Sequence, residues 1–133
     1  MLEALVTLLI VSLGLLGIAG IIANSLKVNQ GAQIRSQASL LANDIIDSMR
    51  ANRTTAENTP AAYTLVDCDP IPNANAIAEA DLTQWCAALD AALPAGTGSV
   101  ALAANMATVT VQWDDTRAAG GVVDQQFVVE TRL

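Results

Sequence analysis

The sequence predicts an α+β fold in which a long N-terminal helix packs on a short helix and a small antiparallel β-meander. Three observations carry this expectation. Residues 1–53 hold no proline and keep a helical pattern throughout, residues 82–93 repeat apolar positions at helical spacing, and the C-terminal part alternates apolar and polar residues with period two. The chain has 133 residues, 53% hydrophobic but only 3% aromatic, enough for about one small domain.

Composition narrows the function classes. Histidine is absent, which removes the commonest general base, and two cysteines are too few for a zinc or transition-metal site built from side chains. No glycine-rich phosphate loop follows a strand, and no nucleophile elbow occurs. A non-enzymatic protein without cofactor or metal is expected. Charge is uneven: residues 1–53 carry Glu3, Asp44 and Asp47 against Lys27, Arg35, Arg50 and Arg53, a net of +1, whereas residues 54–133 carry ten acids against Arg117 and Arg132, a net of -8. Nucleic acid is not an expected partner, because phosphate binding needs clustered Lys and Arg.

The helix comes first. Residues 4–23, ALVTLLIVSLGLLGIAGIIA, are 20 residues without charge or proline, and at about 1.5 Å per residue they span roughly 30 Å, the hydrocarbon thickness of a bilayer. Nothing basic precedes them, unlike a cleaved secretory signal. The helical pattern then continues to about Arg53, with Ile34, Ala38, Leu41, Ile45 and Met49 forming an amphipathic stripe. Three segments follow: residues 1–24 as a transmembrane or filament-core half, 25–53 as an amphipathic half packed on the domain, and 54–133 as an acidic domain. Gly14, Gly17 and Gly20 recur every third residue and would open a groove for close helix-helix contact.

Glu3 is the residue that asks for a reason, since a carboxylate beside a membrane-length apolar segment is costly unless it reaches the interface or finds a partner. One reading places it in the headgroup region, favoured by the helix dipole. The other pairs it with the terminal ammonium of a neighbouring copy.

Residues 54–80, with Pro60, Pro70 and Pro72, read as an extended linker. Asp81 reads as the N-cap of the next helix, with Gln84 three residues on, and Leu82, Trp85, Cys86, Leu89 and Leu93 share one face before Pro94 ends it. Trp85 at that spacing reads as a packing residue, with recognition as the rival reading. Cys68 and Cys86 suggest a disulfide, because an even cysteine count behind a membrane helix implies a domain outside the cytoplasm; a redox pair or metal ligands are the rival readings. Val100 and Leu102, then Val109, Val111 and Trp113, then Phe127, Val129 and Leu133 mark three strands, with DDTRAAGG as a turn before the third. Asp114, Asp115 and Asp124 read as a solvated acidic turn, with calcium as the rival.

The stretch MLEALVTLLIVSLGLLGIAG resembles the N-terminus of bacterial type IV pilins, and VSLGLLGIAG is most similar to the minor pilins called PilV, the type IV pilus modification proteins. LTQWCAALDAALPAGTGSV, ATVTVQWDD and FVVETRL are similar to the same family, so the resemblance spans nearly the whole chain and is weakest in the linker. It implies a type IV pilin fold, cleavage by a prepilin peptidase, methylation of the new amine, and a salt bridge from Glu3 to an adjacent subunit's N-terminus. It also implies an inner-membrane subunit with a periplasmic domain that joins the priming or tip complex on the cell surface and supports adhesion or twitching motility. The implied partners are other minor pilins, the major pilin, the inner-membrane assembly platform and a tip adhesin. The family has its glutamate fifth, whereas Glu3 is third here, so the resemblance places two mature residues and a basic leader before Met1; such a leader also corrects an orientation that Lys27 and Arg35 alone would invert. Two other readings share these features: a minor pseudopilin of a type II secretion system, similar to the GspI kind, and a single-pass membrane protein with an acidic ligand-binding domain.

Overall fold

The computed structural model describes residues 2–133 apart from Asn73, Ala104 and Ala119. Met1, on which the expected processing bears, and Ala119 of the expected turn therefore lie outside the described residues. Helix α1 (Leu2–Ala51, 50 residues) is followed by a short α2 (Arg53–Asn58), a 3-10 turn (Pro60–Ala62), α3 (Ala76–Ala92), and strands β1 (Thr97–Ala103), β2 (Met106–Trp113) and β3 (Gln125–Arg132). The sheet is antiparallel in the order β1-β2-β3, the meander expected from the sequence. The α+β architecture is thus as expected.

A 50-residue helix is about 75 Å long, so the domain covers only part of it. Its buried residues begin at Gly31 and include Ala38, Ala42, Ile45, Ile46 and Met49. Ile34 and Leu41 of the expected stripe are half-buried, while Ala42 and Ile46, outside that stripe, are buried. The buried band is wide because α1 is contacted on one side by α3 and on another by β2 and β3. Aliphatic positions at i, i+3, i+4 and i+7 then all meet protein.

The sheet supplies the second layer. Ala107, Val109, Val111 and Trp113 alternate inward along β2, and Val109 sits between Val100 and Val129 while Val111 sits between Gly98 and Phe127. Period two puts these rows on one face, where cross-strand pairs stabilise the sheet. Gly98 is required by close approach: a Cβ there would lie 2.4 Å from the Trp85 ring and 2.8 Å from Leu89 Cδ1. The indole of Trp85 thus packs flush against β1, and its nitrogen donates to the Leu41 carbonyl at 2.8 Å. Trp85 is a core residue, as its helical spacing indicates.

Two boundaries differ from expectation. The segment 54–80 is not an extended linker, since it holds α2, the 3-10 turn and the first turn of α3. Nor is Asp81 a helix cap. Asn75 caps α3, its side chain accepting from the amides of Ile77 at 3.0 Å and Ala78 at 3.2 Å. Asp81 lies one and a half turns inside the helix and accepts the Tyr63 hydroxyl instead. Cys68 and Cys86 form the expected disulfide with 5.6 Å between their Cα atoms, joining the segment after the 3-10 turn to α3.

Candidate functional site

The surface that sets this molecule apart is the free half of α1. Leu2, Leu5, Leu9, Leu16, Ile21 and Leu26 are between 59% and 79% exposed, and no other described residue covers them. A soluble monomer rarely shows a contiguous apolar patch beyond a few hundred Å². This segment is apolar on every side and long enough to cross a membrane. By length and composition it is compatible with membrane anchoring.

Glu3 sits in the first turn, at the positive end of the α1 dipole, and is exposed. Thr7 and Ser12 return their hydroxyls to the carbonyls of Glu3 and Leu8, at 2.8 and 2.7 Å, so these polar side chains are satisfied within the helix and demand no water. Glu3 is then the one charged group at this end that has no partner among the described residues. Gly14, Gly17 and Gly20 all have open space where a Cβ would stand. The three spread over about a third of the helix circumference, each step of three residues turning about 300° and so falling about 60° short of a full turn. They thin one side of the rod without any intramolecular requirement.

The second region is the junction at which α1 leaves the domain. The loop after β2 folds back on itself, with Asp115 N–H donating to the Val122 carbonyl at 2.9 Å and Ala118 N–H to the Asp115 carbonyl at 2.9 Å. Gly31 lets that loop touch α1, since a Cβ on Gly31 would stand 3.0 Å from Ala118 Cβ. The three acids of this loop do not converge. The Asp114 carboxylate accepts the Thr116 amide at 2.9 Å, Asp124 accepts from Gln112 at 3.1 Å, and Asp115 is 2% exposed beside Arg35, with 3.9 Å between its Oδ2 and the guanidinium. Among the described residues, no group of three or more His, Cys, Asp or Glu could hold a metal ion. The expectation of a solvated acidic turn therefore fails at Asp115, because Ala118 and the glycines of the turn close over it.

Both tryptophans are buried, Trp85 at 2% and Trp113 at 1%, so neither offers a recognition surface. Sequence reasoning missed Asp115 and Gly31; the only local signal was a glycine in the amphipathic half of a helix, a position that costs stability unless something approaches closely.

No family model, curated protein or solved structure matches the chain.

Proposed function

We propose that the chain is a minor pilin of a bacterial type IV pilus, of the PilV kind, a structural subunit of the priming or tip complex that initiates pilus assembly. The observation that carries this reading is the uncovered apolar half of α1 with one carboxylate in its first turn. In the membrane that half is an anchor; in the filament it lies among the equivalent helices of other subunits, with Gly14, Gly17 and Gly20 allowing close approach. Glu3 pairs with the terminal ammonium of a neighbour, which removes the cost of carrying a lone carboxylate into an apolar helix bundle. The disulfide and the compact sheet suit an acidic domain held outside the cytoplasm.

The function is assembly through contacts with other minor pilins, the major pilin, the assembly platform and a tip adhesin, and no chemical step is assigned to the chain. Glu3→Ala tests it: the domain should keep its disulfide and melting behaviour while the protein recovered with sheared pili falls several-fold. Unchanged incorporation and twitching would remove the role given to Glu3. Recovery with secretion machinery but never with sheared pili would favour the secretion pseudopilin.

A further inference from the structure

The end of the domain nearest the protruding half of α1 differs in chemistry from the rest of it. Two turns form this end: residues 114–124 between β2 and β3, and residues 93–96 between α3 and β1. The Asp114 amide donates to the Pro94 carbonyl at 2.8 Å, which ties the turns together. Their height on α1 is fixed, because Ala118 packs at Gly31 and the loop faces Val28 and Ala32 across a cleft of about 270 Å³. The first charge after the apolar run is Lys27, which belongs in the headgroup layer of a membrane. Gly31 lies four residues on, a rise of about 6 Å, and headgroups add about 5–8 Å to each side of a bilayer's hydrocarbon. The opposite end of the sheet is remote. Arg50 donates to Thr131 there at 3.1 Å, Thr131 pairs with Ala107 beside Met106, and Arg50 stands about 28 Å further along α1 than Gly31.

We propose that this end is a platform that rests on the headgroup layer of a phospholipid membrane, with Val122 and Val123 sunk into the interface and Arg117 beside lipid phosphates. Three properties fit that partner. Val122 and Val123 are adjacent in the loop and are 53% and 61% exposed, and apolar side chains gain by entering the interface. Residues 91–96 and 116–123 contain no acid, although the chain from residue 54 onward holds ten, so repulsion from an anionic surface is least where the domain comes closest to it. Arg117 is exposed and, though near Asp114, makes no salt bridge among the described residues. With Gln30, Gln33 and Gln37 it lines an open cleft of about 290 Å³, a set of donors suited to phosphate oxygens. The acids that border the loop are engaged within the domain: Asp114 accepts the Thr116 amide, Asp115 is buried beside Arg35, and Asp124 accepts from Gln112. The platform rests on the reading of α1 as a membrane anchor, since a bilayer crossed by α1 meets the domain at this height.

The test places the full-length chain in vesicles of phosphatidylcholine, alone or mixed with phosphatidylglycerol. A nitroxide is attached in separate variants, Val123→Cys at the platform, Leu13→Cys in the apolar half of α1 and Met106→Cys at the remote end of the sheet. Its collisions with oxygen, which favours lipid, and with a nickel chelate, which stays in water, are read by electron paramagnetic resonance. Oxygen access should exceed nickel access several-fold at positions 13 and 123, and the order should reverse at 106. Nickel access at 123 equal to that at 106, with 13 still in lipid, overturns the platform alone, and is what a surface for another protein would give. Nickel access at 13 as well overturns the anchoring reading and the platform with it. An intact disulfide and an unchanged melting temperature show that each labelled chain keeps its fold, and Val122→Cys serves as a second label site in the same loop. Adding Arg117→Gln to Val123→Cys should lower the oxygen preference several-fold in mixed vesicles, towards its value in phosphatidylcholine. The same preference in both lipids, with and without Arg117, overturns the role given to Arg117.

Discussion

The Tyr63 hydroxyl donates to Asp81 Oδ2 at 2.5 Å and accepts from the Asn52 amide at 3.1 Å, so one buried phenol ties the end of α1 to the middle of α3. Tyr63 is 0% exposed, and both bonds are made where water does not compete. Asn52 stands at the break between α1 and α2, with φ -106° and ψ 40°, outside the helical region. The helix breaks at this residue, and its side chain reaches Tyr63.

Tyr63→Phe removes both hydrogen bonds but keeps the ring. It should cost about 1–3 kcal/mol, because Asp81 and Asn52 lose a buried partner. For a domain of this size each kcal/mol lowers Tm by about 4–8 °C, readable by circular dichroism of the full chain in detergent. An unchanged Tm would mean that water replaces the phenol without cost.

The same residue sets the alkaline limit. Burial, and then the bond to Asp81, push the Tyr63 pKa up to about 12. An unfolded tyrosine ionises near ~10. Between those values the unfolded chain has lost its proton and the folded chain has kept it, so stability is full below about pH 10 and declines as the pH rises towards 12. At the acid end, the Thr97 hydroxyl and the Cys68 amide hold the Asp67 carboxyl below its usual range, and Thr116 does the same for Asp114. Their stabilisation is present above about pH 4 and is lost as pH falls through their folded values. Melting from pH 2 to 12 should give a plateau with two shoulders, and Tyr63→Phe should flatten the alkaline one.

The strands were legible because period two along Val109, Val111 and Trp113 admits one inward face, and the pairing of β2 with both neighbours places those residues in the core. The disulfide was legible from an even cysteine count behind an apolar helix of membrane length. The helix start was not. Asn75 and Asp81 are both good capping residues, and only the position of Tyr63 in three dimensions engages Asp81 elsewhere. Nor could Ala42 and Ile46 be placed, since a stripe one residue wide assumes one neighbour, whereas α1 packs on α2 and α3 as well as on β2 and β3. Asp115 was least legible of all: a carboxylate in a turn rich in alanine and glycine looks solvated until Gly31 is known to let Ala118 close on the helix.

Gly98 has no room for a side chain, so Gly98→Ala should displace the Trp85 ring and cost about 1–3 kcal/mol. Tryptophan fluorescence and Tm would register both effects. Equal stability with an unshifted emission would contradict the packing of Trp85 against β1.

Opening the disulfide should destabilise the domain by about 3 kcal/mol, since Cys68 and Cys86 are 18 residues apart. A Cys68→Ser/Cys86→Ser variant melted beside the oxidised parent gives the value. A variant as stable as its parent would mean that the other contacts of the segment around Cys68 suffice to hold it.

Gly17 offers the converse case. A Cβ there meets nothing, so Gly17→Leu should leave Tm of the domain unchanged. Recovery with sheared pili should nevertheless drop, because the added side chain blocks close helix approach. Normal recovery would mean that this side of α1 faces no other helix.

The most direct measurement is mass spectrometry of the native N-terminus, on protein from membranes and from sheared pili of the same cells. The assembly account predicts an N-methylated peptide with Glu3 as its fifth residue, present in both fractions. An unmodified chain beginning at Met1 and confined to membranes would contradict it, and would leave a membrane-anchored binding domain in its place.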